Sequence, residues 1–459
     1  MTKQESLRNR YRALIESGAY APGERIPSIR DTARSSRVSV NTARAAYDFL
    51  ERDGLIRARE RGGYFVRSRR AFAAYEPPRT TFPGALSPSD KIDYIHDRGS
   101  AAAFALASPG PDLIPVAEIS HLLASIGIDA LRYPPTAGDD ELRSRITAWR
   151  HPYHRDLKPE DIIITNGASE ALSVTLRALV EPGDTVAVES PCYFDFPNHI
   201  RAAGAVPLEI PLVPGIGMDP DQLDMECRRR KIRMAIVQPC VQNPTGTIAG
   251  RDGLARFCEV AIRHGLAVIQ DDVYAELAFS GEASSALDTL ADIPEFVYLS
   301  SFSKILAPGL RIGWVAARSP FESILRAKRI ASCAVSGPAQ KVAAAFLAGK
   351  GWEKRFVRMR TVLRERLADY LELLREHLPD GSSIIPPEGG CLLWIGLPGG
   401  ADASSLFDLC AVEGILVAPG ELFSANPHFR GHFRVNFGNL LDEKRREELM
   451  RICTIARTV

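Results

Sequence analysis

From about residue 101 to the end, short apolar runs alternate with longer stretches of helical period, and the runs give way to small or polar residues. That alternation predicts an α/β fold, a parallel sheet covered by helices. Asp161–Thr165 runs into Asn166-Gly167-Ala168-Ser169 and a helix, Glu170–Val180. Thr185–Glu189 leads to Ser190-Pro191-Cys192-Tyr193, and Met234–Gln238 leads to Gln242-Asn243-Pro244-Thr245-Gly246. Ala267–Gln270 leads to Asp271-Asp272-Val273-Tyr274, and Glu295–Leu299 to Ser300-Ser301-Phe302-Ser303-Lys304. Ligands of open parallel sheets bind beyond the carboxyl ends of the strands, so these residues should converge.

The lysine stretch carries the chemistry. Apolar runs flank it, Ile312–Ala316 being the second, and an amine in such surroundings is pushed toward its neutral, nucleophilic form. A neutral lysine condenses with an aldehyde. Ser301, Ser303 and Arg311 then read as donors for a phosphate on the same molecule. On this stretch alone, an exposed loop lysine beside the Pro308-Gly309 turn is an equally good reading. The other strand ends add an acid for a pyridine nitrogen, rings and amides, and a small-residue helix start that suits a phosphate. Together they supply what pyridoxal 5'-phosphate (PLP) needs. Asp271 and Asp272 are adjacent; the register three before Tyr274 favours Asp271, with Asp272 as the fallback.

At 459 residues the chain exceeds one compact core and implies two to four domains, at roughly 100–200 residues each. Its eight cysteines include no close C-x-x-C pair, so neither a zinc site nor a disulfide framework is expected, and no metal. No apolar run is long enough to span a bilayer and the start is not a signal peptide, which together predict a cytoplasmic protein without a membrane partner. The formal net charge of +1 conceals an asymmetry: residues 1–70 hold 16 Lys/Arg against 8 Asp/Glu. A basic end on a mildly acidic body points to an anionic partner for that end, unless the charge is merely a solvated face.

That basic end reads as an amphipathic helix (Glu5–Ser17), a second helix (Ile29–Ser36) capped by Ser28, a turn at Arg37-Val38, and a third helix from the Ser39 cap to Arg52. Two short strands follow, Leu55–Ala58 and Gly63–Arg67, joined by a turn holding Arg61 and Gly62. The order is that of a winged helix-turn-helix. Pro22–Arg30, Val38–Arg44 and Asp53-Gly54-Leu55-Ile56 resemble the DNA-binding domain of the GntR regulators. The resemblance implies that Arg30, Asn41, Thr42 and Arg44, with the Ser39 cap, face the major groove or phosphates of double-stranded DNA. It also implies that the wing around Arg61 and Gly62 enters the minor groove.

Residues 71–100 contain Pro77-Pro78, Pro83-Gly84 and Pro88 and read as a partly extended linker belonging to neither domain. Residues 101–459 resemble a class I (fold type I) aminotransferase, and the whole chain resembles the MocR branch of the GntR regulators. The resemblance makes Lys304 the Schiff-base lysine and Asp271 the partner of the pyridine nitrogen. It assigns Asn243 and Tyr274 to the ring hydroxyl, Tyr193 to the ring face, and Gly167, Ala168, Ser169, Ser301 and Arg311 to the phosphate. Tyr133 resembles a tyrosine that reaches the neighbouring subunit's phosphate, and Arg434 the arginine that grips a substrate or effector carboxylate. A large domain at about 145–320 and a smaller α+β domain from 101–144 and 321–459 are expected, in a homodimer. The function implied is a transcriptional regulator that senses PLP, an amino acid or an amine through an aldimine at Lys304. The alternative is a catalytically active aminotransferase with an appended DNA-binding domain.

Overall fold

The computed structural model describes residues 2–16, 19–21, 23–53, 55–59, 62–66, 87–150, 157–280, 290, 293–349 and 351–459. The chain divides into two compact units, residues 1–82 and 83–459.

In the first unit, helices Lys3–Glu16, Ile29–Ser35 and Val40–Arg52 precede a hairpin of β1 (Ile56–Arg59) and β2 (Gly63–Val66). Ser28 and Ser39 adopt extended backbone and accept from Asp31 N (3.2 Å) and Thr42 N (3.1 Å), satisfying amides that have no intrahelical partner. Arg37 supplies the left-handed residue, φ 52°, that turns one helix into the next. Ala43, Ala46, Tyr47 and Leu50 recur at helical spacing and are fully buried against Leu7, Tyr11, Ile26 and Ile56. The Tyr47 hydroxyl, enclosed in that core, donates to Pro27 O at 2.7 Å. The predicted winged helix-turn-helix is therefore present, its ends within two residues of expectation.

The second unit is built on an eight-stranded sheet: β3 (Ile162–Thr165), β4 (Thr185–Ser190), β5 (Val206–Val213), β6 (Gly217–Met218), β7 (Met234–Val237), β8 (Ala267–Asp271), β9 (Phe296–Ser301) and β10 (Gly313–Ala317). Its order is β3-β10-β9-β8-β7-β4-β5-β6. The run β5-β4-β7-β8-β9 is parallel, but β10 lies antiparallel between β9 and β3, so the sheet is mixed rather than wholly parallel. Helices on both faces make the strands near-continuous apolar runs. Alternate residues part accordingly. Val186, Ile236, Ile269 and Leu299 meet helix Gly167–Leu179 on one face, whereas Ala187, Ala235 and Val268 meet Leu254 and Phe257 of helix Arg251–His264 on the other. A second, antiparallel sheet of β11 (Ser383–Ile385), β12 (Leu392–Gly396), β13 (Ala418–Pro419) and β14 (His432–Asn436) has the order β11-β12-β14-β13. Two further long helices are Trp352–His377 and Glu443–Ala456.

One expectation needs correcting. The stretch predicted as linker contains a helix, Pro88–Asp97, opened by a capping box in which Ser87 and Asp90 bond each other's backbone amides. It belongs to the second unit. Lys91 is 1 % exposed and donates to Glu421 at 2.7 Å, and the Tyr94 ring meets Phe407 edge-on at 6.2 Å. The prolines at 77, 78 and 83 lie outside the described residues.

Removing one member of a buried pair costs more than removing the buried charge itself. Glu421→Ala should therefore destabilise the second unit by about 3 kcal/mol, and Lys91→Met by clearly less. Urea unfolding of both variants, followed by tryptophan fluorescence, checks that order.

Candidate cofactor site and nucleic-acid interface

The ends of β3, β7, β8 and β9 surround a cavity of about 490 Å³. Along β8, Ala267 and Ile269 face helix Gly167–Leu179, and Asp271 continues that face into the cavity. Asp272 turns the other way and accepts from the Tyr298 hydroxyl at 2.7 Å, so the structure places Asp271 on the cavity and not the fallback. Asp271 accepts from Val273 N at 3.1 Å. Burial, with repulsion from Asp272, pushes its carboxyl up to about 7 against the opposing pull of the Val273 amide, Lys304 and Gln238.

Ser301 closes β9 and accepts from Ser303 N at 3.0 Å, starting the single helical turn Phe302–Lys304 that aims the lysine inward. Lys304 Nζ donates to Ala107 O at 2.6 Å and sits 5.4 Å from the Tyr274 ring centre. Lost hydration lowers its amine to about 8; Arg434 and Arg311 push the same way, and Asp271 opposes them. The amine is thus partly neutral near physiological pH, the state an attack on an aldehyde requires.

Arg311, in the left-handed region at φ 53°, reaches Asn166 O at 3.2 Å. A Cβ on Gly167 would lie 2.5 Å from Arg311 Nη2, and one on Gly313 would lie 2.5 Å from the Gly167 carbonyl carbon. Only glycine permits that approach of β10, the arginine and the helix start. Ala168, Ser169, Ser301, Ser303 and Arg311 line this corner of the cavity; Gly167 stands behind it. Helix-start dipole, hydroxyls and guanidinium in one corner suit a phosphate.

Arg434 rises from β14 and is 1 % exposed. It donates to Asn243 Oδ1 at 2.9 Å and to Ala105 O, lies 4.9 Å from the Phe423 ring centre, and leaves its buried Nε without a partner among the described residues. A buried guanidinium bonded only to neutral oxygens retains affinity for an anion. The Tyr193 ring lines the cavity while its hydroxyl donates to Asp195 at 3.0 Å; the Tyr274 hydroxyl donates to Ala107 O at 2.8 Å. Tyr133 is not in the cavity: it is 94 % exposed, beside a separate groove with Pro134 and Ser336. An acid, an amine and an anion corner share one cavity, and that donor set fits the pyridine nitrogen, aldehyde and phosphate of PLP. Among the described residues no cluster could hold a metal ion, and no helix is long and apolar enough to cross a membrane.

Three contributors had escaped the sequence reading. Backbone carbonyls of Ala105 and Ala107 hold Arg434, Lys304 and Tyr274, and a carbonyl acceptor has no residue signature. Ile95 and His96 of helix Pro88–Asp97 line the cavity, and the Ser87-Pro88-Ser89-Asp90 cap was the available signal. Gln238, one residue past β7, also lines it.

In the first unit Arg30 is exposed at the start of helix Ile29–Ser35, Asn41 and Arg44 are exposed at the start of helix Val40–Arg52, Ser39 caps that helix, and Thr42 is half-buried. Gly62 lies in the wing turn; Arg61 lies outside the described residues. An exposed helix start carrying arginine and asparagine is the surface that reads a major groove.

Comparison with known proteins covers both units. The family "Aminotransferase class I and II" matches residues 112–452, and "Bacterial regulatory proteins, gntR family" matches residues 3–66. The HTH-type transcriptional regulator YjiR of Escherichia coli is 33% identical over 98% of this chain and 98% of its own length. The vitamin B6 salvage pathway transcriptional repressor PtsJ of Salmonella typhimurium is 28% identical over 94% and 93%. A kynurenine aminotransferase of Pyrococcus horikoshii, solved in complex with PMP, superposes with a TM-score of 0.74 at 28% identity, covering 81% of this chain and 95% of that one.

Only the neutral amine attacks, so the rate of PLP capture by Lys304 should rise with pH and level off above about 8. Stopped-flow absorbance at a series of pH values tests this.

Proposed function

Because the chain belongs to the MocR type of GntR-family transcriptional regulators, with a class I and II aminotransferase domain, we propose that it senses PLP, alone or with an amino acid or amine, at Lys304 and changes its grip on operator DNA in response. One observation carries the reading: Lys304, Asp271 and Arg434 face a single cavity in a chain that also bears an intact basic winged helix. The Salmonella relative is a repressor of the vitamin B6 salvage pathway, which supports a B6-related ligand.

PLP, when bound, supplies an aldehyde that condenses with primary amines. Asp271 would hold the protonated pyridine nitrogen, and Tyr193 would cover the ring. Asn243 and Tyr274 would flank the ring hydroxyl, and Ala168, Ser169, Ser301, Ser303 and Arg311 would bind the phosphate, with Gly167 giving Arg311 its room. Lys304 would be the amine that holds the aldehyde, in competition with a ligand's amine. Arg434 would then orient that ligand's carboxylate, since a fork of donors fixes both oxygens. Arg434 stands on the small sheet and Asp271 on the large one, so one ligand touching both favours one relative placement of the two. A homodimer is part of the reading. Val116, Leu123, Ile128, Leu131 and Tyr133 are 45–94 % exposed within one short stretch, apolar surface of the kind a second copy covers. There Tyr133 would reach the partner's phosphate corner. Arg30, Asn41, Thr42, Arg44 and the wing at Arg61 and Gly62 would contact DNA.

A gel shift on the DNA upstream of the protein's own gene, at fixed salt, tests the reading. Wild type should change affinity when PLP or an amine is added. Lys304→Ala should keep its DNA affinity and lose that response; an unchanged response in this variant would sink the sensor mechanism. Steady turnover of an amino acid with a keto acid, and no DNA preference, would favour an aminotransferase instead.

Arg44→Ala should weaken DNA binding about tenfold or more and lessen its salt dependence if Arg44 meets phosphate, or relax base preference if it meets guanine. Binding isotherms at several salt concentrations, on matched and altered sites, separate the two.

A further inference from the structure

We infer that Gln238 is a positioning residue whose single side chain ties together the residues assigned to the pyridine nitrogen and to the ring hydroxyl of PLP, Asp271 and Asn243. The inference rests on the cofactor reading above and adds a residue that neither the motifs nor the comparisons point to.

Gln238 is the first residue beyond β7, and the parallel register Val237–Gln270 sets it beside Asp271 at the end of β8. It is 2 % exposed and lines the cavity. Its amide oxygen accepts from Asn243 N at 2.7 Å, and the strand register leaves the rest of the amide beside the Asp271 carboxyl, which it pulls down. With the oxygen engaged, and a carboxylate able only to accept, the Nε2 hydrogens face Asp271. An amide is the one neutral group of this size that accepts on one side and donates on the other. The backbone amide of Gln238 donates to Glu189 at 3.3 Å, fixing the base of the side chain to a third strand. Lys304, Asp272, Glu189, Tyr193 and Tyr274 are the other ionisable groups that act on Asp271 or feel its charge. Of these only Lys304 favours its carboxylate. The Gln238 amide and the Val273 N–H are the neutral donors that this chain itself supplies to the carboxylate.

The sign follows. Asp271 sits near 7, and a hydrogen bond donated to it lowers that value. Losing the donor raises it, so the pH below which PLP binding must first strip a proton from Asp271 moves up. Gln238→Glu keeps the size and still accepts from Asn243 N, but places a second carboxylate against Asp271. Gln238→Leu removes both bonds.

The full-length protein, Gln238→Glu and Gln238→Leu would each be titrated with PLP from about pH 6 to about pH 8.5, following absorbance of the bound cofactor, with circular dichroism as the check on folding. The affinity of wild type should fall as pH drops through about 7. In Gln238→Glu that fall should move up by about one pH unit, with affinity near neutrality about tenfold lower; Gln238→Leu should move it in the same direction. If wild type shows the fall and both folded variants superpose on it, or lose affinity equally at every pH, the inference is overturned while the cofactor reading stands. If wild type takes up no PLP, the cofactor reading fails and this inference with it.

Discussion

The second unit depends on one electrostatic arrangement: a carboxylate and an amine enclosed at the same edge of a sheet. Desolvation disfavours the charge on each, so Asp271 moves up to about 7 and Lys304 down to about 8. Their mutual attraction opposes both shifts without cancelling them. Both groups are thus held near neutrality, a perturbation typical of functional sites. Neighbouring features serve this arrangement. Gly167 and Gly313 let Arg311 approach the helix start, and the Ala107 carbonyl receives both Lys304 and Tyr274.

The same strand order explains why these groups meet at all. Strand β3 and the five adjacent parallel strands end on one side, and β10, running antiparallel between β9 and β3, starts there, so Arg311 just before it stays on that side. Arg434 arrives from a different sheet and makes its bonds to Asn243 and to the Ala105 segment. A ligand that touches Arg434 and Asp271 together would add a second link between the two sheets to the one Arg434 and Asn243 already make. That is the physical content of a sensor in this fold, whereas the winged helix requires no ligand chemistry for its own core of Tyr11, Ala43, Tyr47 and Leu50.

Residue patterns carried much of this. Local rules were enough for the helix caps at Ser28 and Ser39 and for the alternation along β8 that separates Asp271 from Asp272. They failed where an element is short and framed by breakers. Helix Pro88–Asp97 was lost among prolines although Pro at the first helical position and an Asp three beyond Ser87 both favour a helix start. They failed also for Gln238, whose role depends on a residue 33 positions away across the sheet register, Asp271.

Taken alone, the sequence determined the two-unit plan, the winged helix, the strand ends bearing Lys304, Asp271 and Arg311, and the chemistry those side chains can perform. These follow from periodicity, capping and charge, all properties of contiguous residues. Only the tertiary structure decided that β10 runs antiparallel, that Lys91 is buried against Glu421, that the Ala105 and Ala107 carbonyls hold the cationic groups, and that Gln238 bridges Asn243 and Asp271. Each of these is a contact between segments far apart in the chain, set by strand order and burial, and neither quantity is written in any local stretch.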